Sequence, residues 1–248
     1  MLFDVTLFSD GSNIQRKPKG HLYLYPLIAI AAMLAIVFVM DLPHMHKPKQ
    51  QLSQTIRIPA GQRAQMDLPD GSIVWLNSQT TLTYDENFGK KDRKVTLDGE
   101  AYFEVAHNKE IPFYVQTENI KVQVTGTKFD VCSYKGSNSF IARLIEGSIN
   151  LLTNNAKEEK PITSLTKGKY FSMENGKYKT GEMSSNNALA WMQGIYYFDD
   201  VPFKELLDKI ALYYNYKITV KNPKILENYR CTCLLYTSDA ADDTPCVD

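Results

Sequence analysis

The stretch LPDGSIVWLNSQTTLTY, from Leu68 to Tyr84, places a polar turn directly before a short apolar run. The turn is Pro69-Asp70-Gly71, and the run is Ile73–Leu76. Four consecutive apolar residues are too few for a helix, and they break the alternation of a strand with one solvent-facing side. The run therefore predicts a strand that is buried on both faces. Gly71 is expected to supply a backbone conformation that other residues resist.

Residues 55–185 continue this pattern as a succession of short strands separated by turns, and we predict that they form a β domain. Alternating apolar positions recur along the segment, and no helical periodicity interrupts them. A turn is predicted at Asp98-Gly99, and Asn175-Gly176 is the strongest short hairpin signal. Roughly ten strands of this kind favour an antiparallel sandwich or a jelly-roll-like body, so the predicted fold class is mainly β.

The pattern changes after the β domain, where residues 190–232 predict a small, partial α/β module. The segment IYYFDD predicts a strand, and Pro202 is placed to begin a helix. The apolar residues that follow have the spacing of an amphipathic helix: Phe203, Leu206, Leu207, Ile210, Ala211 and Tyr214. The segment YKITV then predicts a second strand with three residues on one face: Tyr216, Ile218 and Val220. So small a module must rest on another surface or on further chain.

Residues 21–41 predict a single transmembrane helix. The 19 residues from Leu22 to Met40 carry no charge and would span roughly 28 Å as a helix, which matches the hydrocarbon core of a bilayer. A cleaved signal peptide fits less well, because the apolar run is too long and lacks a small-residue cleavage site. A buried core helix is the other alternative. The closer positive charges before the helix place residues 1–20 in the cytoplasm, residues 42–54 in a linker, and the bulk of the chain in the periplasm.

Composition and charge narrow the classes of function. The chain has 28 basic and 28 acidic residues, so its formal net charge is zero and gives no electrostatic case for nucleic acid as a partner. The four cysteines are unevenly spread and do not indicate a disulfide framework. His44 and His46 lie in the polar linker without a nearby carboxylate or cysteine, so a solvated linker is favoured over a metal site.

No catalytic, cofactor-binding or metal-binding residue is predicted, and the chain is not expected to be an enzyme. His107 is the one histidine within the predicted β domain and is expected at a surface turn. Cys132 lies in an alternating strand and is expected to be a small buried side chain. Four carboxylates are expected at turns or on solvent-facing positions, which makes a paired-acid glycosidase a weak interpretation: Glu100, Glu104, Asp130 and Glu146.

Residues 233–248 follow none of the earlier patterns. The segment CLLYTSDAADDTPCVD resembles translated sequencing-adapter read-through, so we expect Cys233 onward to be non-native. An unstructured native tail is the alternative. If the tail is non-native, the pair Cys231 and Cys233 is neither a metal site nor a redox motif.

Four blocks of sequence occur in order at close spacing: LPDGSIVWLNSQTTLTY, VTLDGEAYFEVAHNKEIPFYVQT, VQVTGTKFDVCSY and RLIEGSINLL. Together they resemble the periplasmic domain of FecR-type transmembrane regulators, particularly those of the Bacteroidetes. The resemblance covers about Ile56 to Met173. The later segment FDDVPFKELLDKIALYYNYKITV resembles the start of the small C-terminal module of that family, which is similar to the short N-terminal domains of secretins and TonB-dependent proteins.

The resemblance implies a signalling relay. A TonB-dependent transducer in the outer membrane contacts the periplasmic part of such a regulator, the signal crosses the single transmembrane helix, and a cytoplasmic segment holds or releases an extracytoplasmic-function sigma factor. The expected partners are therefore that sigma factor, the signalling domain of the transducer and the lipid bilayer. Within the C-terminal module, four apolar residues are expected to take part in partner binding: Phe198, Val201, Phe203 and Leu207.

The chain differs from the family pattern at both ends. The first 20 residues are shorter than the anti-sigma segment of the family and have no amphipathic stripe, so we expect this chain to be truncated there and to bind a sigma factor poorly. The C-terminal module is also expected to be cut short where the adapter-like tail begins. The alternative function is a membrane-anchored periplasmic domain that binds or hydrolyses glycans, and a purely structural envelope protein is a third possibility.

Overall fold

The longest strand, Arg93–Glu104, belongs to both layers of a β body in the computed structural model, which describes residues 24–41, 52–90, 92–154, 159–183 and 186–237. We call residues 53–182 the β body and residues 186–237 the C-terminal module. The strands of the β body are, in chain order, β1 (Ser53–Arg57), β2 (Ala64–Asp67), β3 (Ile73–Leu76), β4 (Thr81–Asp85), β5 (Arg93–Glu104), β6 (Phe113–Gln116), β7 (Ile120–Val124), β8 (Lys128–Ser133), β9 (Ser139–Glu146), β10 (Ser148–Thr153), β11 (Pro161–Thr166), β12 (Lys169–Glu174) and β13 (Lys177–Glu182).

The thirteen strands form two layers that share β5. The first layer has the order β1-β4-β5-β6-β7-β10-β11, and the second has the order β2-β3-β5-β8-β9-β12-β13. One apolar core lies between them and takes alternate residues from the strands of both. Leu82 and Leu151 come from the first layer, and Phe129 and Leu144 from the second; none has any exposed surface. The prediction of a mainly β fold is confirmed.

The predicted turn at Asp98-Gly99 is wrong, because β5 continues through both residues. Residues up to Asp98 pair with the first layer, and residues from Gly99 onward pair with the second. Gly99 has a φ of +134°, and a Cβ atom there would lie 2.4 Å from Oγ1 of Thr80. Glycine is therefore required where the strand passes from one layer to the other, since any side chain would collide with Thr80.

The pair β5–β6 is parallel, whereas the other pairs of strands described are antiparallel. The loop that joins the two strands contains no crossover helix, and the guanidinium of Arg93 holds it in place. Arg93 is 2% exposed and donates to the carbonyl oxygens of Ala106 (2.8 Å), Asn108 (3.2 Å) and Ile111 (2.7 Å). It also pairs with Asp70 at 3.1 Å. Asp70 thus links the first sequence block to the loop between β5 and β6. The sequence had predicted only a turn at Pro69-Asp70-Gly71, without this ion pair.

The hairpin predicted at Asn175-Gly176 is confirmed. It joins β12 to β13, and the two residues have φ values of +48° and +76°. Two successive positive φ values are what a tight two-residue hairpin needs, and the Asn-Gly pair adopts them at little cost.

The helix α1 (Leu24–Asp41) belongs to a separate unit, residues 1–50. No helix in the described part of the chain is both long and apolar enough to span a membrane. Several predictions fall outside the described residues: those for residues 1–20, for His44 and His46, for most of the linker 42–54, and for Cys246.

The C-terminal module consists of a 3₁₀ helix (Asn186–Gln193), β14 (Ile195–Pro202), α2 (Phe203–Tyr214), α3 (Lys224–Asn228) and β15 (Arg230–Tyr236). The first predicted strand and the helix are present. The second predicted strand is wrong, because residues 216–220 form no strand and β14 pairs with β15 instead. Asn215 turns the chain in a left-handed conformation at the end of α2, and Tyr216 is left 68% exposed. Alternation alone could not make a strand there, since none of the described strands pairs with this segment.

The strand β15 includes residues from Cys233 to Tyr236, which the sequence assigns to the adapter-like tail. These residues alternate between half-buried and exposed, and they pair with Ile195 to Phe198. Any chain with suitable alternation can complete such a pair. The non-native origin of the tail therefore stays a prediction.

Candidate functional site at the junction of the β body and the C-terminal module

The outer face of the second layer brings together side chains from all four sequence blocks. The strands β3, β5, β8 and β9 are neighbours, and their register aligns the outward residues in two rows. The first row is Trp75, Tyr102, Asp130, Arg143 and Tyr170, and the second is Glu100, Cys132, Ile141 and Ser172. Residues between these positions point into the main core, because successive side chains of a strand alternate between its faces. We call these two rows, together with Asn77 and Ser78, the seat.

The C-terminal module covers the seat with aromatic side chains. Four of its residues form a buried cluster with Tyr102 of the β body: Trp191, Tyr196, Phe198 and Tyr213. Trp75 and Ile145 pack against the same cluster from the β body. Trp75 lies 5.4 Å from Tyr102 between ring centroids, so Ile73 and Trp75 are half-buried on this face, whereas Val74 and Leu76 are fully buried in the main core. The outer face of the layer is therefore an internal contact surface.

Lys209 of α2 reaches the carboxylate of Glu100 on β5. The Nζ atom of Lys209 lies 2.8 Å from Oε2 of Glu100, and the amide of Asn77 donates to the same oxygen at 2.6 Å. Lys209 also lies over the ring of Tyr196, 5.0 Å from its centroid. The hydroxyl of Tyr196 in turn donates to Oδ1 of Asn77 at 3.1 Å. One ion pair and its hydrogen bonds thus join the module to the first two sequence blocks.

Asp130 and Arg143 form a second ion pair beside the first. The two atoms Nη1 of Arg143 and Oδ2 of Asp130 lie 2.6 Å apart, and Nε1 of Trp191 donates to the other oxygen of Asp130 at 3.3 Å. Arg143 also lies 4.0 Å from Oε1 of Glu100, so it stands between the two carboxylates. Asp130 has no exposed surface. The four charges cancel, which is what a buried cluster needs to avoid a large desolvation penalty.

Burial and pairing shift the pKa values of these groups in different directions. Burial by itself would raise the pKa of Glu100, but Lys209 and Arg143 together hold it below its usual value. Burial dominates at Asp130 and raises its pKa to about 6, although Arg143 offsets part of the effect. Burial would lower the pKa of Lys209, yet the carboxylate of Glu100 keeps it raised. The Lys209–Glu100 pair is therefore ionised at neutral pH.

The β body also caps the C-terminal end of α2. The last carbonyl groups of a helix have no partner within the helix, and α2 has no basic residue in its last turn. The carbonyl oxygen of Tyr213 accepts from the backbone N–H of Gly61 and from Oγ of Ser78, both at 2.7 Å, and the side chain of Gln79 donates to the carbonyl of Leu212. The hydroxyl of Tyr213 donates to the carbonyl of Gly61 at 2.9 Å.

The expectation that the four carboxylates lie at turns or on solvent-facing positions is wrong for Glu100 and Asp130. Both occupy outward positions of their strands, as expected, but the C-terminal module removes those positions from water. His107 is exposed, as expected. Cys132 is half-buried on the seat, and burial raises the pKa of its thiol to about 12, so the thiol is not an activated nucleophile.

Two of the four residues predicted to bind a partner lie at the aromatic cluster on the seat: Phe198 is a member of it, and Val201 packs against it. Phe198 is buried against the seat, whereas Val201, Phe203 and Leu207 are half-buried. Sequence reasoning missed Lys209, although a signal was present. Lys209 comes three residues after Leu206 and four before Tyr213, so it shares the helix face that packs against the β body. Only the last member of the predicted apolar stripe is wrong, because Tyr213 rather than Tyr214 is buried.

A cavity of about 310 Å³ adjoins the two ion pairs, between β9 and the module. Its lining includes Glu100, Cys132, Arg143, Trp191, Tyr197 and Lys209. Within the part of the chain that the structure describes, no three side chains of His, Cys, Asp or Glu are grouped so that they could hold a metal ion. The charged groups of the seat are engaged with one another, so the arrangement is suited to holding two parts of the chain together.

Comparison with known proteins accounts for this two-part organisation. The family model "FecR protein" matches residues 54–150, and the model "FecR, C-terminal" matches residues 195–243. The chain belongs to the FecR family. The first match contains the strands that carry the seat up to Arg143, and the second contains β14, α2 and β15.

Solved structures share the fold of this FecR-family chain. Two crystal structures of a proposed anti-sigma factor from Parabacteroides distasonis ATCC 8503, at 2.50 and 1.65 Å resolution, superpose with TM-scores of 0.65 and 0.64. Each is 24% identical in sequence, and the match covers 76% and 75% of this chain and 86% of each crystallised chain. No curated protein is significantly similar to the chain in sequence.

Proposed function

We propose that this FecR-family chain is a signalling regulator that controls an extracytoplasmic-function sigma factor, and that it acts as a binding protein rather than as an enzyme. The observation that carries the proposal is the match to both family models in order along the chain. The structural neighbours from Parabacteroides distasonis, described as a proposed anti-sigma factor, support the same function. The seat agrees with it, because its charged groups hold two modules together instead of activating a reactant.

The signal in this proposal comes from a TonB-dependent transducer in the outer membrane. The signalling domain of the transducer would contact the C-terminal module, and the half-buried residues Val201, Phe203 and Leu207 are the proposed contacts. Phe198 would act indirectly, since it packs on the seat. The β body would pass the change toward the membrane.

The proposal also places the chain in the inner membrane, with residues 21–41 as a single anchor, the N-terminus in the cytoplasm and the β body in the periplasm. The support is the uncharged run from Leu22 to Met40 and the positive charges that precede it. The bilayer is then a third partner, beside the sigma factor and the transducer.

A transcription reporter tests the proposed function. The full-length gene, the sigma factor encoded beside it and a promoter that the sigma factor serves are placed in one host. We expect the regulator to change reporter output, and we expect the sigma factor to co-purify with it. If the full-length protein neither binds the sigma factor nor changes its transcription, the proposed function is wrong.

A paired set of variants tests the contact with the transducer. Leu207→Gln should weaken co-purification with the transducer's signalling domain, whereas Lys204→Gln on the same helix should not, because Lys204 is exposed and pairs with the exposed Asp208. Equal retention by the two variants would remove Leu207 from the proposed contact.

Membrane placement has its own test. Alkaline phosphatase fused after Asp41 should be active, because the enzyme folds only outside the cytoplasm. An inactive fusion after Asp41 would contradict the proposed orientation, and a chain released by alkaline carbonate would not be anchored.

A further inference from the structure

The contact between the β body and the C-terminal module differs from an ordinary hydrophobic interface. The buried cluster is small, and three of its five members are tyrosines, so most of its rings also have a hydroxyl group. Around it lie the Lys209–Glu100 ion pair, the hydrogen bond from Trp191 to Asp130 and the hydrogen bond from Tyr196 to Asn77. Each of these polar groups can exchange its partner for water when the surfaces separate. Separation therefore exposes less apolar surface than opening the main core would.

The charges of the seat are balanced while the module is docked, whereas one guanidinium faces two carboxylates, which are then open to water, once the module has moved away. With the module docked, Lys209 neutralises Glu100, and Arg143 neutralises Asp130. If α2 moves away, Lys209 enters water, and Arg143 remains between the two carboxylates at 2.6 Å from one and 4.0 Å from the other. Neither arrangement leaves a buried charge without a counter-charge. An unpaired buried charge would make separation of the two surfaces prohibitively costly.

The hydrogen bonds that cap α2 also allow the module to separate from the β body. The carbonyl of Tyr213 accepts its hydrogen bonds from the β body, and the carbonyl of Leu212 accepts from Gln79 of the β body as well as from the backbone N–H of Asn215 at 3.4 Å. Once the module separates, these carbonyls lie at an exposed helix end, where water can satisfy them. The helix itself, with its own backbone hydrogen bonds, can persist through the change.

We propose that the C-terminal module undocks reversibly from the β body, and that the ion pair between Lys209 and Glu100 is the latch that sets the docked population. Undocking uncovers the seat, to which all four sequence blocks contribute. The role of this step in signalling rests on the proposed function: the transducer would act by shifting the equilibrium between docked and undocked states. The opening itself is a property of the chain and can be measured without any partner.

The thiol of Cys132 provides a natural reporter of undocking. It lies half-buried on the seat and lines the cavity between β9 and the module together with Lys209, so separation of the module increases its exposure. Cys132 also falls in a tryptic peptide of its own, residues 129–135, because Lys128 and Lys135 flank it. Its reaction with a water-soluble maleimide can therefore be followed by mass spectrometry in the full chain, in detergent solution, with no cysteine replaced.

The decisive comparison uses two lysines of the same helix. Lys209→Met removes the latch, and we expect the labelling rate of Cys132 to rise about tenfold or more, because one partner of a buried pair is lost. Lys204→Met is the matched control, since Lys204 pairs with the exposed Asp208, and it should leave the rate unchanged. Hydrogen exchange in β7 and β10 should stay slow in both variants, which shows that the main core remains closed.

Two results would overturn the latch. One is equal labelling of Cys132 in the two lysine variants; the other is labelling that proceeds no faster than exchange in β7 and β10, which would mean that the thiol is reached only by global unfolding. If Lys209→Met does not fold, Glu100→Gln removes the same pair from the other side and must give the same increase. The labelling rates of Cys132 do not depend on whether the chain controls a sigma factor. The proposed function and the proposed latch can therefore be contradicted separately.

Discussion

The central strands of the second layer, β5, β8 and β9, are covered on both faces, but the two coverings differ in their chemistry. Their inner face packs against the first layer through aliphatic and aromatic side chains, among them Phe103 and Phe129, whose stacked rings lie 5.1 Å apart. Their outer face is covered by the C-terminal module through the Lys209–Glu100 ion pair, several hydrogen bonds and a small aromatic cluster. The inner covering buries core-facing side chains such as Ala101, Val131 and Ala142 completely, whereas the outer covering matches individual polar groups.

The inner covering mainly contributes folding stability, and the outer covering mainly determines where the module binds. Burial of apolar surface is the main source of folding stability and depends little on direction. A buried ion pair adds little net stability, because desolvation offsets the attraction between its charges, but a wrong partner leaves a charge unpaired at high cost. The main core therefore holds the β body together, and the seat determines where the module sits. The two tryptophans of the chain, Trp75 and Trp191, both lie at the seat, so their fluorescence reports docking while far-UV circular dichroism reports the sheet.

The largest expected effect is a cavity in the main core. Leu144→Ala should lower the free energy of unfolding by about 2–5 kcal/mol, because Leu144 is fully buried and its neighbours cannot close the space. Urea unfolding followed by circular dichroism measures this change. Leu52→Ala is the matched control, since Leu52 is 71% exposed, and it should have an effect of less than about 0.5 kcal/mol. Similar losses from both variants would contradict the division between core and surface.

The next effect concerns the latch. Lys209→Met should weaken docking by about 2–3 kcal/mol, somewhat less than for an isolated buried pair because Arg143 also lies near Glu100. We expect the tryptophan fluorescence transition to move to lower urea while the circular dichroism transition stays in place. The double variant Glu100→Gln with Lys209→Met should lose less than the sum of the two single variants, by about 1–2 kcal/mol. Strict additivity would mean that the two side chains are not coupled.

A smaller effect is expected at the end of α2. Ser78→Ala removes the hydroxyl that donates to the carbonyl of Tyr213 and accepts from the N–H of Gly61, and should weaken docking by about 1–2 kcal/mol. The fluorescence transition again measures the change. Ser164→Ala, at an exposed position on β11, should leave that transition where it is. A shift of the circular dichroism transition alone would place the role of Ser78 within the β body.

The smallest net effect is expected from pH, because two carboxylates of the seat act in opposite directions. The pKa of Asp130 is raised from 3.8 to about 6, so its contribution to stability is complete below the unfolded value and is lost as the pH rises through about 6. The pKa of Glu100 is lowered from 4.5, so its contribution is present above that value and is lost as the pH falls through the lower, folded pKa. Carbon-13 NMR of the carboxyl groups should show one signal that titrates near 6 and is missing in Asp130→Asn. A signal at the ordinary aspartate value instead would contradict the raised pKa.

The local pattern of the chain predicts much of the β body. Alternation in β7, where Ile120, Val122 and Val124 face the core, needs only the two-residue period of a strand and a surface to pack against. The hairpin at Asn175-Gly176 depends on two residues that tolerate positive φ, so four residues of sequence were enough to locate it. The four blocks that resemble the FecR family were sufficient to identify the family, which the two family models confirm.

Other features depended on parts of the chain that are far apart in sequence. Asp98-Gly99 looks like a turn, but β5 continues because each of its halves finds a different layer to pair with. The segment at residues 216–220 alternates like a strand, but β14 pairs with β15 instead. A strand needs a neighbour for its hydrogen bonds, and local sequence does not say which neighbour is present.

The sequence by itself determined the family, the mainly β character and the faces of individual strands, because these follow from short-range periodicity and from motifs of a few residues. Only the tertiary structure decided that Glu100, Asp130 and Arg143 form a site. Their positions point outward and read as solvent-facing, and they are buried because Lys209 and Trp191, which follow much later in the chain, cover them. Whether a polar residue on a strand faces water depends on what packs over it, and that packing is a property of the folded chain as a whole.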